Sequence, residues 1–187
     1  IKFQSDDGSG GLATYFTLDG GLGYTTAQKT IRFNDSVKAA FGSGLDLQLY
    51  HNGSHSYIEN AVGNIAITNN TNDGDIIFSS DDGSGGTTAY LTLDGGQGFT
   101  IANKVIRFVD GVSAAFGTDG DGAVSHSGSR MDIVNTLGDL TIKNFADDSD
   151  ISFQCDDGSG GITEYFRLDG ADGGTRFSRQ LIMQDNV

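Results

Sequence analysis

At 187 residues the chain is long enough for one or two ordinary domains, and its formal net charge of −14 limits its partners. That charge argues against nucleic acid, whose phosphates need cations to neutralise them, and against an anionic membrane surface. Proline is absent and 29 residues are Gly, a composition that would suit disorder were it not for 12 Phe and 6 Tyr, which disordered chains lack. Cys155 stands alone, so no intrachain disulfide framework exists. No run approaches the ~18 apolar residues of a membrane span, and no signal peptide is recognisable.

Apolar residues do not recur at the three-and-four spacing of a helix, whereas short period-two runs are frequent. Ile1 and Phe3 predict a strand over 1–5. The block Asp6-Asp7-Gly8-Ser9-Gly10-Gly11 then reads as a hairpin loop, its glycines supplying conformations that other residues resist. Thr14, Phe16 and Leu18 place a strand at 12–18, and further strands are expected at 24–27, at 29–33 around Ile31 and Phe33, and at 37–41. Leu45, Leu47 and Leu49 give 45–51, followed by 54–59 and, through Ile65 and Ile67, 64–68. Asn52-Gly53 reads as a two-residue type I′ turn that sets His51 against Ser54 and Leu47 against Ile58, leaving one face apolar. The fold class is all-β.

At residue 76 the pattern starts again. Laid on 76–150 without a gap, residues 1–75 are identical at 39 of 75 positions. The Asp-Asp-Gly-Ser-Gly-Gly block returns at Asp81 and at Asp156, and Ile31-Arg32-Phe33 returns as Ile106-Arg107-Phe108. The chain therefore divides into repeat 1 (1–75), repeat 2 (76–150) and a partial repeat 3 (151–187), whose last residues Asp185-Asn186-Val187 align with Asp35-Ser36-Val37. Beginning inside a repeat at Ile1, it is expected to be a segment of a longer repetitive protein. A repeat kept in register builds an elongated object rather than one pocket. The period is too long for a single β-solenoid coil of about 20–30 residues. Its strands carry only two or three inward apolar side chains each, so a lone sheet would keep exposed edges and one uncovered face. Three copies around one axis would complete such a core.

The stretch Val37-Lys38-Ala39-Ala40-Phe41-Gly42, then Leu45 to Ile58 with its Tyr50-His51-Asn52-Gly53-Ser54 centre, then Gly63-Asn64-Ile65-Ala66-Ile67, resembles a repeat of tail-fibre and related virion proteins of marine tailed bacteriophages, cyanophages included. The Gly-rich block and the Ile-Arg-Phe segment are similar to the same family, so the resemblance covers nearly the whole chain. It implies an elongated repetitive homotrimeric fibre, a β-prism or triple-stranded β-helix. Such a shaft would be an extracellular part of the virion tail, held by other tail proteins and positioning a distal receptor-binding region for host attachment. The alternative is a carbohydrate or cell-surface binding module of an adhesin. Repeat 2 departs from the pattern: Leu47, Leu49, Tyr50 and Tyr57 become Gly122, Val124, Ser125 and Asp132.

Candidate chemistry is sparse. The carboxylate pairs Asp6/Asp7, Asp81/Asp82 and Asp156/Asp157 suggest Ca²⁺, a cation that takes six to eight oxygens, yet no EF-hand spacing or closing glutamate accompanies them. The favoured reading is a solvated turn whose aspartates bond their own backbone, with no cofactor. Asp119-Gly120-Asp121-Gly122 resembles half a calcium loop and ranks no higher. His51, His55 and His126 could ring a trimer axis, but flanking a turn they are better read as neutral surface or interface residues. A glycosidase needs two carboxylates about 5–9.5 Å apart in a groove, and Glu59 and Glu164 suggest no such pair, so the chain is read as having no catalytic residues and not as an enzyme. Cys155 replaces Ser5 and Ser80 and fits a strand position occupied by small residues. Tyr15, Tyr90 and Tyr165 recur in phase and are read as framework packing. Tyr50 and Tyr57, on the distinctive hairpin, are the candidates for glycan contact, against a plain cross-strand pair.

Overall fold

The computed structural model describes residues 1–182, and every regular element among them is a strand. β1 (Lys2–Asp6), β2 (Leu12–Asp19) and β3 (Tyr24–Ala27) form an antiparallel three-stranded meander. A second meander follows in β4 (Ala39–Phe41), β5 (Leu47–His51) and β6 (Ser56–Asn60). The first kind returns as β7 (Ile76–Asp81), β8 (Thr87–Asp94) and β9 (Phe99–Ala102), and the second as β10 (Ser113–Phe116), β11 (Gly122–His126) and β12 (Met131–Asn135). β13 (Ile151–Asp156), β14 (Ile162–Asp169) and β15 (Gly174–Phe177) make the first kind once more. None of the five sheets closes into a barrel. No helix among the described residues is long and apolar enough to cross a membrane. The chain divides into two units, Ile1–Lys104 with three sheets and Val105–Val187 with two. Within each unit, strand contacts stay inside the individual sheets.

Local chemistry explains the recurrence. In each sheet of the first kind the register slips once, between Phe3 and Gln4, Phe78 and Ser79, or Phe153 and Gln154. The extra residue opposite is Tyr15, Tyr90 or Tyr165, as a β-bulge requires. Each of these tyrosines donates its hydroxyl to the carbonyl at the head of the Gly-rich loop: Tyr15 to Asp6 at 3.4 Å, Tyr90 to Asp81 and Tyr165 to Asp156, both at 3.1 Å. These tyrosines, expected to pack in the framework, are exposed and make a specific bulge-to-loop bond. Tyr90→Phe, which removes one such bond, is expected to lower stability by about 1 kcal/mol in denaturant unfolding.

In sheets of the first kind the apolar side is open to solvent. In the first, Phe3 pairs with Phe16 and Phe16 with Ala27, and in the last, Phe153, Phe166 and Phe177 stack with ring centroids 4.4 and 5.9 Å apart. Along β2, however, Thr17 and Asp19 are half-buried while Phe16 and Leu18 are exposed. Among the described residues no hydrophobic side chain is buried, and only Thr92 and Asp169 are buried at all. The chain exposes 15238 Å². Two separate globular bodies, each of half its mass, would together expose about 10,300 Å².

Two expectations are corrected. Residues 29–33 and 64–68 are not strands, nor are the matching segments of repeat 2, because nothing among the described residues pairs with them. The hairpin turn also lies one residue later than Asn52-Gly53. The Asn52 amide donates to the His55 carbonyl at 3.0 Å, so Gly53-Ser54 is the loop, with His51 opposite Ser56, Leu47 opposite Asn60 and Leu49 opposite Ile58. The Asn52 side-chain oxygen accepts from the amides of Ser54 and His55, at 2.9 and 2.8 Å, which holds Asn52 in the ladder. Only Gly53, at φ 96°, takes the left-handed region, matching the type II′ placement of Gly at the first loop position. The expected apolar face survives, since the slip of two positions preserves side-chain parity. Of the expected third repeat, residues 183–187 lie outside the described residues.

Candidate functional site

The hairpin β5–β6 carries the densest side-chain cluster of repeat 1. Tyr50 and Tyr57 lie directly opposite each other, with centroids 4.8 Å apart and planes at 17°. Lys38 sits 4.5 Å over the Tyr50 ring, also bonds Gln48, and pairs with Glu59 at 3.6 Å. His55 meets Tyr57 edge-on at 6.5 Å, and the Asn52 side-chain amide donates to the Tyr57 hydroxyl at 3.3 Å. Partial burial, then the Glu59 carboxylate, pushes the Tyr50 phenol up from 10.0. The two rings turn one face toward each other, and the cation covers the outer face of Tyr50. What is left for a ligand is the outer side of Tyr57 with the polar groups of Asn52 and His55. Alternation places Lys38, Gln48 and Glu59 on the tyrosine side of the sheet. Lys38 was not singled out in the sequence, although its position two before Ala40 carried that signal. In repeat 2 the tyrosines are Ser125 and Asp132, and Arg130 forms a two-pronged bond to Asp132 at 2.8 and 3.1 Å.

The histidines of the two hairpins act locally. The Gly53 amide donates to His51 Nδ1 at 2.9 Å, and the Gly128 amide to His126 Nδ1 at 3.1 Å. Asp35 lies 3.5 Å from the first ring and Asp110 2.9 Å from the second. Asp35 and Asp110 were overlooked among many aspartates, although both recur at the 75-residue offset, as His51 and His126 do.

The acidic loops turn inward on themselves. Asp7 Oδ1 accepts from the amides of Ser9 and Gly11 at 2.8 and 3.0 Å, and Asp6 accepts from Gly8 at 2.7 Å. Asp82 and Asp157 repeat this with Ser84 and Gly86, and with Ser159 and Gly161, adding the serine hydroxyls. Asp81 and Asp156 cap Gly83 and Gly158. Paired glycines at φ 85° and 86°, 83° and 90°, then 86° and 87° make the geometry possible. Among the described residues no group of three or more His, Cys, Asp or Glu is arranged to hold a metal ion. The Asp121 carbonyl accepts from the Thr136 amide at 3.0 Å and from its hydroxyl at 3.3 Å. Cys155 is an exposed strand residue opposite Thr163.

Those bonds have a pH consequence. The amide of Ser9, then that of Gly11, holds the Asp7 carboxyl below its ordinary 3.8. The amide and hydroxyl of Ser84 do so for Asp82, and the hydroxyl and amide of Ser159 for Asp157. A carboxyl lowered in the folded state stabilises fully above its unfolded value and loses that contribution as pH falls through the folded one. Thermal stability is therefore expected to hold from about pH 7 to 5 and to drop below about pH 4, with Asp82→Asn reducing the drop.

Repeat 3 replaces Thr17 with Arg167 and Thr26 with Arg176, building an ion-pair network. Arg167 reaches Asp150 at 2.9 Å, Glu164 at 3.1 Å and Asp169 at 3.3 Å, and Arg176 reaches Asp169 at 2.6 Å. Glu164 is thus held by Arg167 and by the hydroxyls of Ser178 and Ser152, at 2.6 and 3.0 Å. No protein family, curated protein or solved structure matches the chain.

Proposed function

We propose that the chain is a shaft segment of a bacteriophage tail fibre. It acts without catalysis as a homotrimer that positions a distal receptor-binding region for host attachment. The observation that carries this reading is the absence of any buried hydrophobic residue among the described ones, together with sheets whose apolar sides face outward. A domain cannot gain the hydrophobic stabilisation that folding needs with its apolar surface in water, so the sides are covered by other copies. The 75-residue sequence period and the tail-fibre resemblance give the assembly its extended character. The trimer buries its own edges, which also blocks open-ended sheet growth. Light scattering at micromolar concentration is expected to give about three times 19.6 kDa, and a single-chain mass overturns the reading.

The Tyr50–Tyr57 cluster favours a second reading, a glycan-contacting module, because it is confined to repeat 1 while the framework tyrosines recur. A glycan array on this chain distinguishes the two: binding that is lost in Tyr57→Ala supports the module, and no binding supports the shaft alone.

A further inference from the structure

Four segments carry backbone amides that find no acceptor among the described residues, beside apolar side chains that stay about half exposed or more. Residues 30–34, 64–70, 105–109 and 139–145 run without turn, bend or ladder. No amide of residues 30–33, 64–68, 105–108 or 140–143 donates a hydrogen bond among the described residues. In the Ile-Arg-Phe pair of segments, Ile31 and Phe33 are each 50% exposed, and Ile106 and Phe108 are 59% and 49% exposed. Unpaired amides beside alternating apolar side chains are the makings of a strand without a neighbour. In the unit Val105–Val187 the second segment borders an open apolar groove of about 460 Å³, lined by Ile106, Phe108, Val112, Ala114, Val124 and Met131.

We propose that segments 29–33 and 104–108 are inter-chain strands: each pairs its backbone with a neighbouring copy of this chain and places its Ile and Phe against that copy's apolar sheet side. This deepens the shaft reading and rests on it. Three observations single out a copy of the chain as the occupant. The segments recur 75 residues apart, and a partner of matching period is supplied by the chain itself in register. They concentrate positive charge, with Lys29, Arg32, Lys104 and Arg107 providing 4 of the 11 Lys and Arg, and Arg32 and Arg107 form no ion pair among the described residues. Those cations suit an acidic neighbour, and this chain carries −14. Finally, the cover must be present whenever the chain is folded, since among the described residues no apolar side chain is buried without it, and an obligate copy meets that condition.

Hydrogen exchange on the unmodified protein, run beside light scattering, tests this. The expected result is a trimer in which the amides of 30–33 and 105–108 exchange at least about 100-fold more slowly than an unstructured chain. A trimer in which these amides exchange at unstructured rates while those of β10–β12 are protected overturns the inference and leaves the shaft reading intact. A single-chain mass at every concentration overturns both. Phe33→Asp combined with Phe108→Asp is expected to abolish the trimer mass, and a trimer of normal mass and protection in that variant counts against the proposal.

Discussion

Gly95→Ala and Gly170→Ala are each expected to destabilise the protein by about 3 kcal/mol, while Gly174→Ala, at the start of β15, costs under about 0.5 kcal/mol. A β-carbon on Gly95 would lie 2.4 Å from the carbonyl oxygen of Gly74, and one on Gly170 would lie 2.3 Å from that of Ser149. At Gly174 nothing lies within 4 Å. These glycines close a joint between the loop entering a sheet and the turn β8–β9 or β14–β15. The Gly95 amide donates to Asp75 at 3.0 Å and the Gly170 amide to Asp150 at 2.9 Å. The side chains of Asn69 and Asn144 hold the carbonyls of the same aspartates at 2.9 and 3.0 Å. Asp73 and Asp148 take φ 57° and 55° to shape the loop. The obstacle in both cases is backbone, which cannot swing aside as a side chain does. Urea unfolding of the three variants under one condition checks the prediction, and equal losses at all three positions would remove the joint from the account.

Phe16→Ala separates a chain that folds with its copies from one that stands alone. Phe16 is 38% exposed on the apolar side of β2, opposite Phe3 and Ala27. If neighbouring copies cover that side, truncation costs about 3–5 kcal/mol, the range for a buried Phe. On a lone chain the same change stays below about 1 kcal/mol. The expected result is the larger loss, with a wild-type melting temperature that rises with protein concentration, as mass action requires of a folded oligomer. A small loss together with concentration-independent melting would mean the sheets are stable with their apolar sides in water.

Much of this architecture was legible in the sequence because strands announce themselves in two residues' worth of pattern. Phe3, Phe16 and Leu18 were correctly placed in strands by alternation, and the Gly-rich loops by their glycines. The self-capping of Asp7, Asp82 and Asp157 followed from the short reach of an Asp side chain. The turn at Gly53 was missed by one residue because the side chain of Asn52 competes for the loop amides, a choice that dipeptide preference does not contain. Ile31 and Phe33 alternate as well as Phe16 and Leu18 do, yet form no ladder, since alternation reports a side chain's preference and a strand also needs a partner.

What the residues settle on their own is an all-β chain and its Gly-rich loops, decided by neighbours a few positions apart, and its period and acidity, read by comparison and count along the chain. Three things needed the fold: the bulge that carries Tyr15, Tyr90 and Tyr165 to the loop carbonyls, the backbone contact that makes Gly95 and Gly170 irreplaceable, and the outward turn of the apolar sheet sides. Each depends on which groups meet across a turn or between segments distant in sequence. Hydrogen-bond partners and excluded volume set that outcome, and hydrophobic pattern alone does not specify it.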